Sequence, residues 1–345
     1  MTVVSGQVSG VRFQDEPGAK TMRKRVVDLA LGALLLVLSV PVEAQQPAKV
    51  SKIGWLSAGP SGPGGRLELF QREFRKLGYV EGKNITIEYR YADDQLARLP
   101  GLADELVRLK VDVLLTAGTP EALALKNATR TIPIIFFAVT DPVTAGLVDR
   151  LARPGGNITG FTTIGAVLAG KRLELLKETV PKLSRVAVLW NPRDPGSTLN
   201  WKESQLPGRE LGLQLHSVEV GSVDEYEGAF RKAVKARSGA LAVSPLGGSH
   251  HNRIVELAVK NRLPAIYVLR DIVERGGLMS YGPEETEIVR RVAVFVDKIL
   301  KGAKPADLPV EQPKKFELVI SLKAAKQIGL TMPPNVLARA DRVIK

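Results

Sequence analysis

Residues 52–91 read KIGWLSAGPSGPGGRLELFQREFRKLGYVEGKNITIEYRY, and this stretch decides the fold. An apolar run, Ile53–Leu56, precedes a loop of Gly, Pro and Ser and then an amphipathic segment, Leu67–Leu77, which stops at Gly78. Residues 85–91 then alternate apolar and polar side chains. A strand, a helix and a second strand in this order predict a βαβ unit.

The same alternation continues along the chain. A helix predicted at Leu99–Lys110 is followed by an apolar strand, Val111–Thr116. A second predicted helix then follows, and after it the apolar strand Ile132–Val139. Strands that alternate with helices of this length predict a parallel sheet covered by helices on both faces.

The second half of the chain repeats the pattern of the first at a spacing of 130–134 residues. The matched landmarks are Ile53 and Val186, Gly78 and Gly212, Pro133 and Pro264, and Asp141 and Asp271. A nearly constant spacing predicts an α/β protein with two similar parallel-sheet lobes instead of one long sheet.

Segments rich in Gly and Pro mark where the chain is predicted to cross between the lobes, and together they form a multi-strand hinge. The predicted crossings are residues 153–157, 280–283 and 304–313. The predicted lobes are residues 50–157 plus 283–306, and residues 158–282 plus 307–345. The cleft between the lobes is the expected ligand site, because strand ends and helix N-termini of both sheets point into it.

The N-terminal region has the features of an export signal. Basic residues at Met22–Arg25 precede the apolar run Leu29–Val40 and a small-residue site that ends at Ala44. This order predicts a signal peptide at residues 22–44, cleaved after Ala44, and a periplasmic product. An uncleaved membrane anchor is the alternative. Residues 1–21 are interpreted as an extension upstream of a true start at Met22.

Composition excludes several classes of protein. The 345 residues contain no Cys and three His, so disulfides, thiolate-bound metals and a Cys nucleophile are excluded, and no metal site or cofactor is expected. The net charge of +13 is scattered, without a basic stripe, so nucleic acid is not an expected partner. Gly165–Lys171 has the spacing of a phosphate-binding loop, but Arg172 follows where Ser or Thr would hold Mg²⁺.

Small polar side chains follow several predicted strands. They are Ser57, Thr119, Asp141, Asn191 and Ser244. Because these positions lie at one edge of each sheet, they predict a ring of ligand-binding groups around the cleft. The ring contains no evident nucleophile or acid–base pair, so no catalytic residue is predicted.

Three of the candidates have a specific predicted role. Thr119, as the N-cap before Pro120, would bind a carboxylate at a helix N-terminus, unless it is an ordinary cap. Asp141 would pair with an ammonium group, unless it forms an Asx-turn before Pro142. Tyr281 would stack on an apolar part of the ligand, unless it is a structural hinge residue.

Five sequence strings carry a family resemblance. They are KIGWL (52–56), LGYVEGKN (77–84), ARPGGNITG (152–160), GLMSYG (277–282) and DKILKG (297–302). With them the chain, from about Lys52 to its C-terminus, resembles the ABC-transporter substrate-binding proteins related to the TrpX type. The resemblance implies the type I periplasmic binding protein architecture, and an ABC permease in the inner membrane with its cytoplasmic ATPase as partner. Some relatives take aromatic amino acids.

The expected function is that of a non-enzymatic, monomeric receptor for a small solute, such as an amino acid or a related carboxylate. The main alternative is an exported two-lobed α/β enzyme, for example a racemase or a relative of glycosyl-transfer enzymes. A ligand-sensing transcription factor is disfavoured by the export signal and by the lack of a helix-turn-helix before Lys52.

Overall fold

The computed structural model describes residues 50–60, 65–246 and 251–345, together with Thr2, Gly6 and Gly10. Residues 50–345 form one compact unit. The predicted signal peptide at 22–44 lies outside the described residues, as does the interpreted extension at 1–21 apart from those three positions. None of the helices in the described ranges combines the length and the apolar character needed to cross a membrane.

The first sheet has five parallel strands in the order β2-β1-β3-β4-β5. They are β1 (Ser51–Ser57), β2 (Ile85–Tyr91), β3 (Val113–Ala117), β4 (Ile134–Val139) and β5 (Ile158–Thr162). Ile53 of β1 lies opposite Ile87 on one side and Val113 on the other, so the central strands bring apolar rows together. The βαβ unit predicted at residues 52–91 is confirmed.

The second sheet has seven strands in the order β12-β11-β10-β9-β8-β6-β7, all parallel except the antiparallel pair β10 and β11. They are β6 (Arg185–Trp190), β7 (Gln214–Glu219), β8 (Ala240–Val243), β9 (Ala265–Tyr267), β10 (Met279–Pro283), β11 (Phe316–Ser321) and β12 (Arg342–Ile344). Two largely parallel sheets confirm the predicted two-lobed α/β fold. We call the parts built on them the first and the second lobe.

Helices cover both faces of the sheets. They are α1 (Gly65–Lys76), α2 (Leu99–Arg108), α3 (Thr119–Ala128), α4 (Leu168–Thr179), α5 (Pro195–Glu210), α6 (Tyr226–Lys235), α7 (His251–Lys260), α8 (Arg270–Glu274), α9 (Glu285–Leu300), α10 (Leu322–Gln327) and α11 (Pro334–Leu337). Short 3-10 turns lie at Leu96–Arg98, Val223–Glu225 and Pro305–Asp307.

Helix α9 follows the second lobe in sequence but packs in the core of the first. Its buried side chains, among them Val292, Phe295 and Val296, join the cluster that contains Ile53 and Phe70. The Glu284 side chain begins the helix by accepting hydrogen bonds from the N–H groups of the second and third residues after it, at 3.0 and 3.3 Å. The first lobe is therefore completed by sequence from beyond residue 284.

The first sheet extends further than the predicted lobe boundaries. Residue 158 was expected to begin the second lobe, but β5 pairs with β4 as the edge of the first sheet. Gly160 permits this pairing, since a Cβ there would collide with the carbonyl of Phe136. Leu308, also expected in the second lobe, packs in the core of the first and accepts a hydrogen bond from Thr159 Oγ1 at 2.7 Å.

The chain passes between the two lobes three times: between β5 and α4, between β10 and α9, and between Glu311 and β11. The first crossing was predicted at residues 153–157, which instead form a turn before β5. Asn157 holds that turn to the first lobe, because its Nδ2 donates to the Ile132 carbonyl at 2.6 Å. The first crossing is therefore residues 163–167.

Candidate functional site

A cleft of about 890 Å³ lies between the two lobes and is lined by both. The first lobe contributes the segments that follow β1, β3 and β4, and the second lobe those that follow β6, β8 and β9. These segments lie at the C-terminal ends of parallel strands, where α/β proteins usually bind ligands. The cleft thus has the location that the sequence predicted.

The lobes touch at the N-termini of α3 and α5. Gly196, in the first turn of α5, lies against the first lobe so closely that a Cβ there would be 2.8 Å from the hydroxyl oxygens of both Thr119 and Thr140. Asp194 caps α5, because its Oδ1 accepts from the N–H groups of Gly196 at 2.8 Å and Ser197 at 3.3 Å. The absence of a side chain at residue 196 allows this contact between the lobes.

Glu121, in the first turn of α3, is a buried carboxylate at the cleft wall and is 4% exposed. Its Oε1 accepts from the Ala58 N–H at 3.0 Å, which ties the segment after β1 to α3. Gly118 precedes the helix with φ of +135°, and a Cβ there would collide with the Glu121 carboxylate. The pKa of Glu121 is raised to about 7, mainly by burial and to a smaller extent by the charge of Asp194, while hydrogen bonds from backbone N–H groups and the charge of Arg66 oppose the shift.

Asp194 is the corresponding buried carboxylate of the second lobe and is 8% exposed. Burial raises the pKa of Asp194 to about 6, although its hydrogen bonds from Ser197 and Gly196 favour the ionised form. Two desolvated carboxylates, one from each lobe, therefore line the cleft, and Asp194 lies close enough for its charge to raise the pKa of Glu121. A cationic group placed between them would be stabilised by both.

Arg172, on α4, is a buried cation in the same cleft and is 4% exposed. Its Nε donates to the Tyr281 carbonyl at 2.8 Å and its Nη1 to the Gly165 carbonyl at 3.3 Å. Burial lowers the pKa of Arg172 to about 10. The cleft thus contains buried groups of both charges.

Three aromatic residues of the first lobe, which we call the aromatic wall, line the cleft: Tyr91, which is half-buried, and Trp55 and Phe137, which are almost wholly buried in the core of that lobe. The rings of Trp55 and Phe137 meet edge to face with centroids 6.0 Å apart. Arg66 lies beside this wall and pairs with Glu285 of α9 at 2.8 Å. Apolar rings beside charged groups suit a ligand that has an apolar part and a charged part.

The sequence model of the family described as "ABC transporter substrate binding protein" matches residues 67–344, which is more than half of the chain. The chain belongs to this family. A curated relative, the tyrosine-binding protein of Clostridioides difficile (strain R20291), is 28% identical over 262 residues, which cover 76% of this chain and 75% of the relative.

Two solved structures extend the comparison. The ABC domain from Streptococcus pneumonia in complex with L-Trp is 26% identical, with a TM-score of 0.76, covering 85% of this chain and 99% of that one. A substrate-binding protein from Clostridium difficile, in a ligand-free, open structure, is also 26% identical, with a TM-score of 0.59, covering 86% and 100%.

Membership fixes the general function of the chain as the substrate-binding protein of an ABC transporter, whose partners are a small-molecule ligand and a permease with its ATPase. Such proteins of ABC importers work outside the cytoplasm. The comparisons give no support to the alternative of an exported two-lobed enzyme. Within the described ranges, no three His, Cys, Asp or Glu side chains are grouped as a metal site requires.

Three of the six residues predicted to bind ligand, Ser57, Thr119 and Asn191, line the cleft of this substrate-binding protein. Thr119 is not the N-cap that the sequence predicted. Gly118 occupies that position, and Thr119 is the first residue of α3. The reason is the left-handed φ of residue 118, which only glycine adopts readily.

The other three predicted residues are not among the described residues that line the cleft. Asp141 forms the Asx-turn that was the alternative, since its carboxylate accepts from the N–H groups of Val143 and Thr144 at 2.9 and 3.1 Å. Ser244 is buried and donates to Asn200 Oδ1 at 3.0 Å. The Tyr281 ring stacks on Phe316 with centroids 6.3 Å apart.

Sequence reasoning missed the charged residues Glu121, Arg172 and Asp194, although two of them left a signal. Asp194 directly before Pro195 is a typical helix start, with the acidic side chain as N-cap. Arg172 lies four residues after Leu168 and three before Leu175, on the buried face of α4. An arginine at the spacing of buried leucines is the sequence signal of a buried charge.

Proposed function

We propose that this protein binds an amino acid with an aromatic side chain in the cleft between its lobes and presents it to an ABC permease. The observation that carries the proposal is the combination of buried groups of both charges, Arg172 against Glu121 and Asp194, with an aromatic wall. The names of the relatives, one binding tyrosine and one solved with L-Trp, support the same class of ligand. We propose Ser57, Thr119 and Asn191 as further ligand contacts.

The cationic group of the ligand would lie beside Glu121 and Asp194. Asp141 was predicted for this role, but its carboxylate is held by its own loop. An ammonium group placed between two desolvated carboxylates from opposite lobes would favour closure, because it offsets their charges only when both lobes contribute.

The arrangement of the lobes supports a closing mechanism. At the same identity of 26%, the chain superimposes better on the relative in complex with L-Trp than on the ligand-free, open relative, with TM-scores of 0.76 and 0.59. The contact of Gly196 with the two threonines of the first lobe is consistent with a closed form. We propose that the lobes rotate about the three crossings and that ligand shifts the population toward this form.

A thermal-shift screen tests the proposed ligand class. Tyrosine, tryptophan and phenylalanine are expected to raise the melting temperature of the protein cleaved after Ala44, since a ligand at 100 times its dissociation constant adds about 2.7 kcal/mol of stability. Glucose and ribose are the controls and are expected to have no effect. A shift with the sugars and none with any amino acid would overturn the proposal.

We also propose that the protein is exported, cleaved after Ala44 and monomeric in the periplasm. Mass spectrometry of the protein from the periplasmic fraction is expected to find Gln45 as the first residue, and light scattering to give the mass of a single chain. Recovery from the membrane fraction with an N-terminus at or before Met22 would support the uncleaved anchor instead.

A further inference from the structure

Arg172 differs from the other arginines of the cleft in having no carboxylate partner. Arg66 pairs with Glu285, and Arg270 and Arg275 pair with acidic residues of the second lobe. Among the described residues, no Asp or Glu lies within ion-pair distance of the Arg172 guanidinium, and no carboxylate contributes to its pKa, which burial lowers. Glu121 and Asp194 therefore do not neutralise it.

The hydrogen bonds of Arg172 to protein satisfy only part of its guanidinium. Nε and Nη1 each donate to a carbonyl, that of Tyr281 and that of Gly165. The guanidinium has further N–H donors, and they have no partner among the described residues. Burying a cation without an anionic partner is unfavourable unless another group supplies the charge. Because Arg172 lines the cleft, a bound ligand can supply it.

The carbonyl of Gly165 joins Arg172 to the elements around it. The Gly165 carbonyl, which accepts from Arg172, accepts as well from Asn200 Nδ2 at 3.0 Å. A Cβ at Gly165 would lie 3.4 Å from Thr140 Cγ2, and the Thr140 hydroxyl in turn lies against Gly196 at the N-terminus of α5. Because Asp194 already caps α5, the positive charge at this part of the cleft comes from the Arg172 guanidinium itself.

We propose that the Arg172 guanidinium binds the carboxylate of the amino acid ligand. The inference rests on the proposed function and deepens it, because it assigns the anionic end of the ligand to one residue at the crossings between the lobes. The carbonyls that Arg172 holds belong to the first crossing and to β10, which leads into the second. The side chain that binds the ligand carboxylate therefore also contacts two of the segments about which the lobes move.

The test compares each amino acid with its carboxamide by calorimetric titration, using L-tyrosine and L-tryptophan and their amides. Wild-type protein is expected to bind the acid at least about 30-fold more tightly than the amide, as is typical when a buried charge loses its partner. In Arg172→Met this preference is expected to fall to about threefold or less, because the remaining contacts do not distinguish acid from amide. Arg172→Lys, which keeps the charge, is expected to retain part of it.

Lys171→Met is the matched control, since it removes a neighbouring cation of α4 that pairs with Glu174 at 2.7 Å and does not line the cleft. It is expected to keep the wild-type preference. If wild type binds acid and amide equally, or if Arg172→Met keeps the preference, Arg172 is a structural residue and the inference is wrong, while amino acid binding stands. If wild type binds neither amino acid, the proposed function itself fails. If Arg172→Met does not fold, the acid and amide affinities of wild type and of Arg172→Lys decide whether Arg172 binds the carboxylate.

Discussion

Gly196→Val is expected to weaken binding of the amino acid about 5- to 150-fold, because added side-chain volume in a tight contact costs about 1–3 kcal/mol. The added atoms would meet the hydroxyl groups of Thr119 and Thr140, which belong to the other lobe. A Cβ would also lie 3.3 Å from Asp194 Oδ1 of the same lobe, so most of the cost falls on the contact between the lobes and a smaller part on the second lobe itself. Calorimetric titration measures the loss, and solution scattering shows whether saturating ligand still reduces the radius of gyration.

Gly228→Val is the matched control for this experiment. Gly228 lies in α6 of the same lobe, and the nearest atom to a Cβ there would be the flexible end of Arg231 at 3.8 Å. This variant is expected to bind and close like wild type. Closure of Gly196→Val to the wild-type radius with unchanged affinity would show that the contact at residue 196 does not limit closure.

Glu121→Gln is expected to stabilise the free protein by about 3 kcal/mol at pH 8 and to have little effect at pH 4. Burial raises the pKa of Glu121 from 4.5 to about 7, and each pKa unit corresponds to about 1.36 kcal/mol. The folded protein therefore holds this proton more tightly than the unfolded chain does. Stability contributed by Glu121 falls as the pH rises from about 4.5 to 7, and above pH 7 the full cost of the buried charge is present.

Urea unfolding of wild type and variant between pH 4 and pH 8 measures this difference. Glu203→Gln, at an exposed carboxylate of α5 that does not line the cleft, is the control and is expected to leave the profile unchanged. Glu121→Gln is also expected to bind the amino acid more weakly, because the ammonium group loses a charged partner. A constant difference between variant and wild type across the pH range would show that Glu121 does not titrate in this window.

The fold could be predicted from the sequence because its main determinants are local. The apolar runs at 53–56 and 132–139, with amphipathic helices between them, specify parallel strands wherever they pair. The lobe to which β5 belongs could not be predicted in this way. Its assignment depends on Gly160 meeting the Phe136 backbone and on Thr159 reaching Leu308, and contacts between such distant positions leave no pattern in a single sequence.

The candidate site could be predicted only in part. The rule that strand ends line the cleft named Ser57, Thr119 and Asn191, which do line it, and their contact with ligand stays a prediction. It could not show that Asp141 would be satisfied by its own loop, because Asx-turns and free carboxylates look the same in sequence. Arg172 lies in a helix and not at a strand end, so the same rule did not predict it as a cleft residue.

Helix α9 and the last strands have a consequence for how this protein is made. The first lobe lacks α9, and the second lacks β11 and β12, until the ribosome has synthesised almost the whole chain. A nascent chain that ends at residue 284 already contains one complete core cluster of the second lobe, at residues 187–272, but it lacks the part of the first lobe's core that α9 supplies and the part of the second lobe's core that lies beyond β10. Neither lobe can therefore complete its fold until synthesis is nearly finished. If the chain is exported as we propose, this late completion favours an incompletely folded chain during synthesis, which is the form that a translocation channel accepts.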